Sequence, residues 1–588
     1  MEPRQIMESE PVTQEISTSS LADKAAIAPA REERLFLLLS IFIGIISGLL
    51  VVSFRMAIDW LQVLLLGSAP NPHQPRLFIV PAVVGLVVAV LTRYVFPQVR
   101  GSGVNQTKAA LYINNGYISF RTVIGKFLLS SLAIGGGHSL GPEDPSLQIG
   151  AGVASLISRR MGLSRERLRL FAPIGAAAGL AAAFNAPISA ILFVIEEVIG
   201  QWNAAVLGSI VLAAVSSVVV ARSFWGSEPM FRIPTVTFDS RELFAYTVLG
   251  VFGGIAALIF AKALGYLRPL LRRQSPSAQM FQPTLAGLLV GGIGYFGLPQ
   301  VMGAGYGAID QAMHAQFAWK MLLLLALFKI IATTLSFSSG TPGGMFAPTL
   351  FIGAMLGAAI GAFEKIYFPH LHLTGSLGSY ALVGMGVLFA AFLRAPLTSV
   401  FMVLEVSGNY SIIVPVILAN TIAYVISRSF QPVPIFEMLT HQDGLDLPSL
   451  EEQREESSLH IEDALQSVFV PVLQGSESVA NAAKSVAGYS GLKDSAVVLV
   501  HCSDGLWYAA KHDELHGIFA KVDEDPAALL EARLGEERTP VLFPDLPLSS
   551  TLPHFKRWPL LPITNRAMRG ALEGTVSLAD VLQRYQGR

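Results

Sequence analysis

A stretch of predominantly apolar sequence runs from residue 35 to about residue 427 and sets the environment in which this chain folds. With 52% of all residues hydrophobic and 14% charged, the chain has too few polar residues to cover a soluble core of this size. Several apolar segments approach or exceed the length of about 20 residues with which a helix crosses a bilayer. Examples are residues 35–65, 77–96, 244–267, 321–335 and 411–426. We therefore predict an α-helical polytopic membrane protein.

Polarity divides the chain into three regions. Residues 1–34 are polar, mixed in charge and without the pattern of a signal peptide, which predicts a disordered tail. Residues 35–443 form the predicted transmembrane domain, with repeat halves at about 35–225 and 240–443. Residues 444–588 are more charged and predict a soluble α/β region.

The membrane region contains an internal repeat with a spacing of about two hundred residues. Residues 141–151, GPEDPSLQIGA, match residues 344–354, GMFAPTLFIGA, in Gly, Pro, a hydroxyl residue, Leu, Ile, Gly and Ala. In a closely similar register, PQVRGSG at residues 97–103 matches PQVMGAG at residues 299–305. Two copies of one pattern predict two structurally equivalent halves.

Charged residues predict that the two halves have opposite orientations. The segment that follows the first long helix, residues 61–75, carries no charge. The equivalent segment of the second half, residues 267–274, carries Arg268, Arg272 and Arg273. Because positive residues favour the cytoplasmic side, the two segments are expected on opposite sides of the membrane. Inverted repeats of this kind place a substrate site near the middle of the membrane, where the halves meet.

The loop at residues 135–150, GGGHSLGPEDPSLQIG, combines glycines with two acidic residues inside apolar sequence. Asp144 suits a helix N-cap and Pro145 suits the first helical position, so a helix is expected to begin there. Free N–H groups at a helix start attract an anion, and the repeat supplies a second start. The alternative is that both Gly/Pro motifs are only kinks in packed helices. Other interruptions, which imply half-length helices, occur at Gly101, Gly141, Pro187, Pro342 and Pro396.

Two strand-turn-strand-helix patterns follow one another in the C-terminal region. In the first, residues 495–500, SAVVLV, predict a buried strand, and a helix is expected from Asp513 after a turn and a short strand. The second runs from residues 558–565 through a turn at residues 568–570 to a strand and helix at residues 574–585. The two patterns predict a tandem pair of small α/β domains.

Composition argues against several classes of site. The single cysteine, Cys502, allows no internal disulfide and is expected to be a buried structural thiol. The chain has no Cys/His spacing typical of zinc, and we predict neither a metal nor a cofactor. A formal net charge of −1 gives no indication of a nucleic-acid partner, and none is predicted. No nucleophile and base occur in an arrangement typical of an enzyme.

The motifs of the membrane region, taken in order, resemble those of the CLC family of chloride channels and chloride/proton antiporters. They are GSGV at residues 101–104, GxExP at residues 141–145, the acids Glu196 and Glu197 after ILFVI, and GxFxP at residues 344–348. The resemblance spans roughly residues 34–443 and implies two inverted repeats with broken helices. The C-terminal region resembles, more distantly, a pair of CBS domains, which many family members carry on the cytoplasmic side.

Carried over by position, the resemblance implies roles for specific residues. Ser102 would donate a hydroxyl hydrogen bond to a central anion, and the backbone N–H groups of Met345 and Phe346 would complete the anion site. Glu143 would be the gating glutamate, which mimics an anion when charged and moves away when protonated. Glu197 would be the inner glutamate, which relays protons from the cytoplasm by a route separate from that of the anion.

An acidic residue inside a membrane segment is costly, which favours a functional role for Glu143 and Glu197. For Glu197 the alternative is a solvated acid at a helix end. Glu196 and His138 are expected to be structural residues.

Four residues depart from the family pattern. Pro142 stands where the family usually has a basic residue, and Asp144 where it usually has a glycine, so a second negative charge borders the predicted anion pathway. Asn105 replaces the usual proline after GSGV. Phe436 stands where the family commonly has a tyrosine whose hydroxyl also touches the central anion. These departures predict a weaker affinity for the anion or an altered selectivity.

In the C-terminal region, Ser577 and Asp580 have the hydroxyl-x-x-Asp spacing with which CBS domains hold a ribose. This spacing makes an adenine nucleotide a candidate ligand. The corresponding residues 510–513, AKHD, lack the hydroxyl. We therefore expect a dimerising, regulatory module in preference to a nucleotide-binding one.

The resemblance implies transport of chloride or a similar small anion. Acidic residues at both proton positions favour a proton-coupled chloride/proton antiporter gated by Glu143. The alternative is a passive chloride channel gated by voltage or pH, since the tyrosine is missing and the gating loop is altered. We expect a homodimer with one pathway per subunit, embedded in lipid in the inner membrane of a prokaryotic cell. Both termini are expected in the cytoplasm.

Overall fold

The computed structural model describes residues 18–586, except for residues 69–70, 162–164, 201–203, 232–239, 369–375, 446, 448–458, 467–469, 489–496, 521–524, 536 and 567–570. The chain divides into two compact units, Met1–Leu447 and Pro448–Arg588. The first unit is built from helices and the second from short strands and helices.

The helices of the first half of the membrane unit are α1 (Thr18–Leu66), α2 (Pro75–Tyr94), α3 (Gly103–Tyr112), α4 (Phe120–Gly135), α5 (Glu143–Arg159), α6 (Arg165–Phe184), α7 (Pro187–Phe193) and α8 (Ala204–Trp225). A π-helical turn, Val194–Ile199, follows α7. Those of the second half are α9 (Leu243–Arg272), α10 (Pro276–Tyr295), α11 (Tyr306–Met313), α12 (Trp319–Ser338), α13 (Phe346–Tyr367), α14 (Leu377–Leu393), α15 (Pro396–Ser407), α16 (Ile413–Phe430) and α17 (Ile435–Gln442). Within the described ranges, seven helical stretches are long and apolar enough to cross a membrane.

Helix α1 extends the first membrane segment towards the N-terminus. It begins at Thr18, so residues 18–34 are helical where the sequence predicts a disordered tail. The segment is rich in Ala, Glu and Arg, which are good helix formers and prolong the apolar helix that follows. Residues 1–17 of the predicted tail lie outside the described residues.

Reciprocal contacts relate the two halves by a two-fold axis. A Cβ atom built on Gly85 of α2 would lie 2.3 Å from the carbonyl oxygen of Pro283 in α10, and one built on Gly287 of α10 would lie 2.1 Å from that of Pro81 in α2. Residue numbers rise along one helix as they fall along the other, so these equivalent helices are antiparallel where they touch. Reciprocal pairing of this kind indicates two-fold symmetry. The predicted inverted repeat is therefore confirmed.

Short helices and close backbone contacts hold the helix starts in place. The Gly/Pro interruptions produce α3, α7 and α15, which have 10, 7 and 12 residues. Helices α5 and α6 cross at Gly150 and Gly175, where a Cβ on either residue would lie within 2.2 Å of the other's carbonyl oxygen. Helices α13 and α14 repeat this contact at Gly353 and Gly384. Small residues at such crossings allow the close packing that is typical of membrane helices.

The C-terminal unit repeats one small α/β pattern. Its elements are β1 (Val472–Gln474), α18 (Val479–Ala487), β2 (Val497–His501), β3 (Trp507–Lys511), α19 (His512–Phe519), β4 (Leu560–Thr564), β5 (Leu572–Ser577) and α20 (Leu578–Gln586). Strand β1 pairs in parallel with β2, which pairs antiparallel with β3. A parallel bridge from Leu542 to Ile563 of β4 and the antiparallel pair β4–β5 repeat this order. The predicted turn at residues 568–570 lies outside the described residues.

These observations confirm the predicted fold class: a helical membrane domain with inverted repeats and broken helices, followed by an α/β region. Strand β2 and helix α19 lie where the sequence predicts a strand and a helix. Strand β1 and helix α18 are additional elements. They are short, and a three-residue strand carries too little periodicity to be recognised.

Candidate functional site

Three helix starts meet inside the membrane unit. Ser102 is the N-cap residue of α3, α5 begins at Glu143, and α13 begins at Phe346. The loops that precede α5 and α13 are joined by two backbone hydrogen bonds between Gly141 and Gly344, each 2.8 Å long. Each helix start presents free N–H groups and the positive end of a helix dipole. The arrangement suits the binding of a negative group.

The Glu143 carboxylate is fully buried and reaches from α5 to α13. Its Oε2 accepts a hydrogen bond from the Ala347 N–H at 3.3 Å, and its Oε1 accepts one from the Tyr306 hydroxyl. A carboxylate on the amide of a helix start is bound as a free anion would be bound. The gating role of Glu143 remains a prediction, for which this geometry is suitable.

A cavity of about 600 Å³ lies beside Tyr306 and Pro142. Arg55 and Asp59 of α1 contribute charged side chains to its wall. The Arg55 guanidinium carbon lies 5.3 Å from the centroid of the Tyr306 ring, which is a cation–π contact. The polar cavity therefore reaches the phenol whose hydroxyl holds Glu143.

The sequence predicts that Asp144 caps its own helix, and this prediction is wrong. Its Oδ2 instead accepts hydrogen bonds from the Ser102 hydroxyl at 3.0 Å and from the Met345 N–H at 3.3 Å. The reason is that α5 begins two residues earlier than predicted, at Glu143 with Pro142 as N-cap, so Asp144 lies inside the first turn. The structure thus brings two predicted anion ligands, Ser102 and Met345, together around this carboxylate.

Aromatic rings surround the start of α13. The Phe346 ring stacks on Phe389 with 5.4 Å between centroids and lies 6.4 Å from the ring of Phe436. Phe436 is fully buried, and its ring centroid is also 6.4 Å from that of Phe193. The Asn105 side-chain amide donates to the Phe436 carbonyl oxygen at 3.2 Å, which ties α3 to α17. Phe436 therefore packs beside Phe346, and its place in the anion site remains a prediction.

Glu197 lies in the π-helical turn after α7, and its side chain is 1% exposed. It forms an ion pair with Lys108 of α3, so it is not a solvated acid at a helix end. Its role in proton transfer remains a prediction. The neighbouring Glu196 accepts hydrogen bonds from the N–H groups of Leu397 and Thr398 at 3.1 and 2.9 Å. These bonds cap α15, which agrees with the structural role predicted for Glu196.

Two buried lysines at equivalent positions of the repeat were not identified from the sequence. Lys126 donates to the carbonyl oxygen of Gly101 at 2.6 Å, and Lys329 donates to that of Gly303 at 2.8 Å. Each lysine holds the loop that leads to a short helix. The signal that identifies them is a charged residue inside an apolar helix, present at the same place in both copies of the repeat.

Tyr306 and Lys108 were not identified either. Each bonds an acidic residue far away in sequence, Glu143 and Glu197 respectively. No local pattern distinguishes a tyrosine or a lysine that is used in this way.

In the C-terminal unit, Ser577 and Asp580 bond to each other. The Ser577 hydroxyl donates to Asp580 Oδ2 at 2.6 Å, and Ser577 Oγ lies 3.2 Å from the Asp580 N–H. The pair caps the start of α20, so the two predicted ribose ligands already satisfy one another. Cys502 is buried, and desolvation raises the pKa of its thiol, as expected for a structural cysteine.

Comparison with known proteins places the membrane unit in a family. The family profile described as "Voltage gated chloride channel" matches residues 84–428. The H+/Cl− exchange transporter ClcA of Salmonella arizonae is 32% identical over 417 residues, which cover 68% of this chain and 87% of that protein. The chain belongs to the voltage-gated chloride channel (CLC) family. ClcA of Salmonella paratyphi B matches this CLC protein to the same extent.

Solved structures share the CLC fold of this chain. A slow cyanobacterial Cl−/H+ antiporter is 25% identical with a TM-score of 0.63, and the match covers 71% of this chain and 99% of that one. A eukaryotic CLC transporter is 20% identical with a TM-score of 0.60, and the match covers 93% of this chain and 97% of that one. The second match extends into the C-terminal unit.

Proposed function

We propose that this CLC protein exchanges chloride for protons across the membrane, with the Glu143 side chain as the gate. The observation that carries the proposal is the position of this carboxylate on the Ala347 N–H at the start of α13. A transported anion needs a donor of the same kind. The relatives described as an H+/Cl− exchange transporter and as a Cl−/H+ antiporter support antiport.

Protonation of Glu143 converts a competitor of chloride into a neutral side chain. An ionised carboxylate competes with chloride for the N–H groups of the helix start. A carboxylic acid holds these donors less strongly, because hydrogen bonds to ionised groups are roughly twice as strong as those between neutral groups. The uptake of one proton therefore frees the position for one anion, and the loss of that proton closes it again. The gate thereby links the movements of the two ions.

Glu197 and Lys108 form the inner end of the proposed proton route. Their buried ion pair is costly to desolvate, which is typical of a functional acid inside a membrane. Glu197 Oε2 has no hydrogen-bonding partner in the part of the chain that the structure describes, so it is available to bind a proton. From Glu197 the proton passes towards Glu143 without crossing the anion position.

Ser102 and the first amides of α13 form the proposed site of the central anion, which is the inner anion position of the pathway. The Ser102 hydroxyl and the Met345 N–H both donate to one oxygen, Oδ2 of Asp144. Both donors therefore lie within reach of one small anion. Phe346 supplies the next amide, and Phe436 packs against its ring. Because Phe436 has no hydroxyl, this position has one donor fewer than it would have with a tyrosine.

A passive chloride channel is the second candidate function. The observation that favours it is Phe436, since a missing donor weakens the anion occupancy on which tight exchange depends. A flux assay in vesicles separates the two functions. The vesicles contain the protein and a potassium shunt, and the chloride gradient is directed outward. In an antiporter, departing chloride drives protons inward, and the interior becomes more acidic. Chloride efflux without proton uptake would overturn the proposed antiport.

The orientation that we propose for the chain is supported by a contact between the ends of two helices. Arg268 and Arg272 at the end of α9 form ion pairs with Asp443, which directly follows α17. The ends of α9 and α17 therefore lie on one side, and positive residues favour the cytoplasmic side. Because α1 is the inverted equivalent of α9, its N-terminus also lies in the cytoplasm. We place residues 1–34 and 444–588 there, and residues 35–443 in the inner membrane of a prokaryotic cell, surrounded by lipid.

We propose that the protein is a homodimer. Both halves of the anion position lie in one chain, so each subunit has a complete pathway. The C-terminal unit is proposed to be a CBS-like pair that regulates transport, because two copies of a parallel strand pair, a hairpin and a helix follow one another.

An adenine nucleotide is the candidate ligand of the CBS-like pair. It would have to replace the bond between Ser577 and Asp580, so we place a dimerising role first. Calorimetric titration of the purified chain with ATP tests this order, since saturable heat that is lost in Ser577→Ala would make nucleotide binding the primary role.

A further inference from the structure

The proposed function gives no role to the buried carboxylate of Asp144. Asp144 is fully buried, and its Oδ2 accepts hydrogen bonds from the Ser102 hydroxyl and the Met345 N–H. These are two of the three donors of the inner anion position. A carboxylate oxygen and a small anion cannot use the same two donors at the same time, so Asp144 competes with any anion that enters.

We propose that Asp144 is a second tethered anion, whose carboxylate fills the inner anion position and must leave before a transported anion binds there. The proposal rests on the proposed function, because it assigns an occupant to the same pathway. Glu143 acts in the same way at the neighbouring position, where it bonds the N–H of Ala347, two residues after Met345. Consecutive side chains of α5 thus bond N–H groups that lie two residues apart at the start of α13.

A structural role for Asp144 is the alternative, either as a helix cap or as a clamp between helices. Capping does not fit, because α5 begins at Glu143 and both hydrogen bonds of Asp144 go to other elements. A clamp is expected to use both carboxylate oxygens. Asp144 Oδ1 is buried and has no hydrogen-bonding partner within the described residues. A buried oxygen of this kind is costly unless it gains a partner, and a proton is the smallest one available.

The displacement of Asp144 by chloride conserves charge. The carboxylate takes up one proton from the aqueous phase, becomes a neutral acid and releases its two hydrogen bonds to the arriving chloride. The inner position carries one negative charge before and after this step. The charged groups that act on Asp144 are Glu143 on the same helix and Lys126 on α4, and Lys329 on α12 acts on Glu143.

A graded series of substitutions tests this proposal by calorimetric titration of the full chain with chloride. All members carry Glu143→Gln, which removes the titration of the gate. The series compares Asp144 with Asp144→Asn, which keeps the shape and one acceptor oxygen without the charge, and with Asp144→Gly, which removes the side chain. We expect the chloride affinity to rise in this order. The glycine variant should bind about tenfold more tightly, which corresponds to about 1.4 kcal/mol.

The pH dependence of chloride binding gives an independent readout. With Asp144 present, affinity should fall as pH rises, because the ionised carboxylate competes better. In the asparagine and glycine variants this dependence should be nearly absent. Lys126 and Lys329 are unchanged throughout the series, so any titration of theirs is common to all members.

Two outcomes would overturn the proposal. If Asp144 is a clamp between helices, Asp144→Gly weakens chloride binding and Asp144→Asn leaves it unchanged. If Asp144 is a tethered anion, both substitutions strengthen chloride binding. If the glycine variant fails to elute as the native assembly, the asparagine variant alone tests the proposal. Its chloride affinity should depend on pH less than that of the chain with Asp144, and an equal pH dependence contradicts competition. Failure of the proposed antiport has a different signature, which is the absence of proton uptake in vesicles of the native chain whatever the affinities are.

Discussion

The Tyr306 hydroxyl offers a direct way to alter the competition between Glu143 and chloride. Glu143 accepts two hydrogen bonds, one from this hydroxyl and one from the Ala347 N–H. Tyr306→Phe deletes the first bond and keeps the aromatic ring in contact with Arg55. The carboxylate should then leave its position more readily, and chloride should bind more tightly.

The size of this effect follows from the charge of the acceptor. A hydrogen bond to an ionised group contributes about 1.5–3 kcal/mol, which corresponds to a factor of about 10 to about 150 in an equilibrium constant. The polar cavity of about 600 Å³ is lined by Tyr306, so in Tyr306→Phe we expect water from it to reach the freed carboxylate oxygen and to offset part of this loss. We therefore expect the lower end of the range, a chloride dissociation constant about tenfold smaller than that of the native chain.

Calorimetric titration with chloride measures this change. Tyr246→Phe is the matched control, because Tyr246 is fully buried in the same domain and its hydroxyl has no hydrogen-bonding partner among the residues that the structure describes. The control should leave the dissociation constant unchanged. If Tyr306→Phe gives the same constant as Tyr246→Phe, Tyr306 does not hold the gate and the competition argument is wrong.

Three further changes probe the rest of the pathway. Glu197→Gln keeps the shape of the inner acid and removes its ability to bind and release a proton. Proton flux into vesicles should fall to background while chloride flux persists. Equal loss of both fluxes would mean that Glu197 is a structural residue. Phe436→Tyr changes packing little and adds a donor beside Phe346, so calorimetry should show chloride binding roughly tenfold more tightly, with a reversal potential closer to full coupling. Unchanged affinity would mean that Phe436 does not face the anion. Deletion of residues 444–588 should leave a conducting dimer with altered regulation, measured by chromatography and vesicle flux, whereas a monomer without transport would show that the fold needs this region.

Much of the membrane architecture was predictable because it follows from patterns that packing requires. Apolar length identifies the membrane helices, and the match of residues 97–103 to residues 299–305 identifies the repeat. The contrast in charge between equivalent segments predicts the inversion, which the antiparallel contact at Gly85 and Gly287 confirms. These signals are either local or repeated, so one sequence contains them in full.

The contacts of the site depend on where distant segments meet, and these were less predictable. Asp144 has the local features of an N-cap, yet its side chain bonds Ser102 and Met345 because the helix starts two residues earlier than predicted. Tyr306 lies 163 positions from the acid that it holds, and no periodic pattern spans such a separation. Lys126 was within reach of sequence analysis, since a charge in an apolar helix is a signal of its own.

The reversal potential under a pH gradient, with equal chloride on both sides, decides whether chloride and proton movements are coupled. A passive chloride pathway reverses at zero under these conditions. The native protein should reverse away from zero, in the direction that the proton gradient sets, and Glu143→Gln should return the potential to zero while current persists. A native chain that conducts chloride and reverses at zero would contradict coupled exchange, and a Glu143→Gln variant that keeps the native potential would show that Glu143 is not the gate.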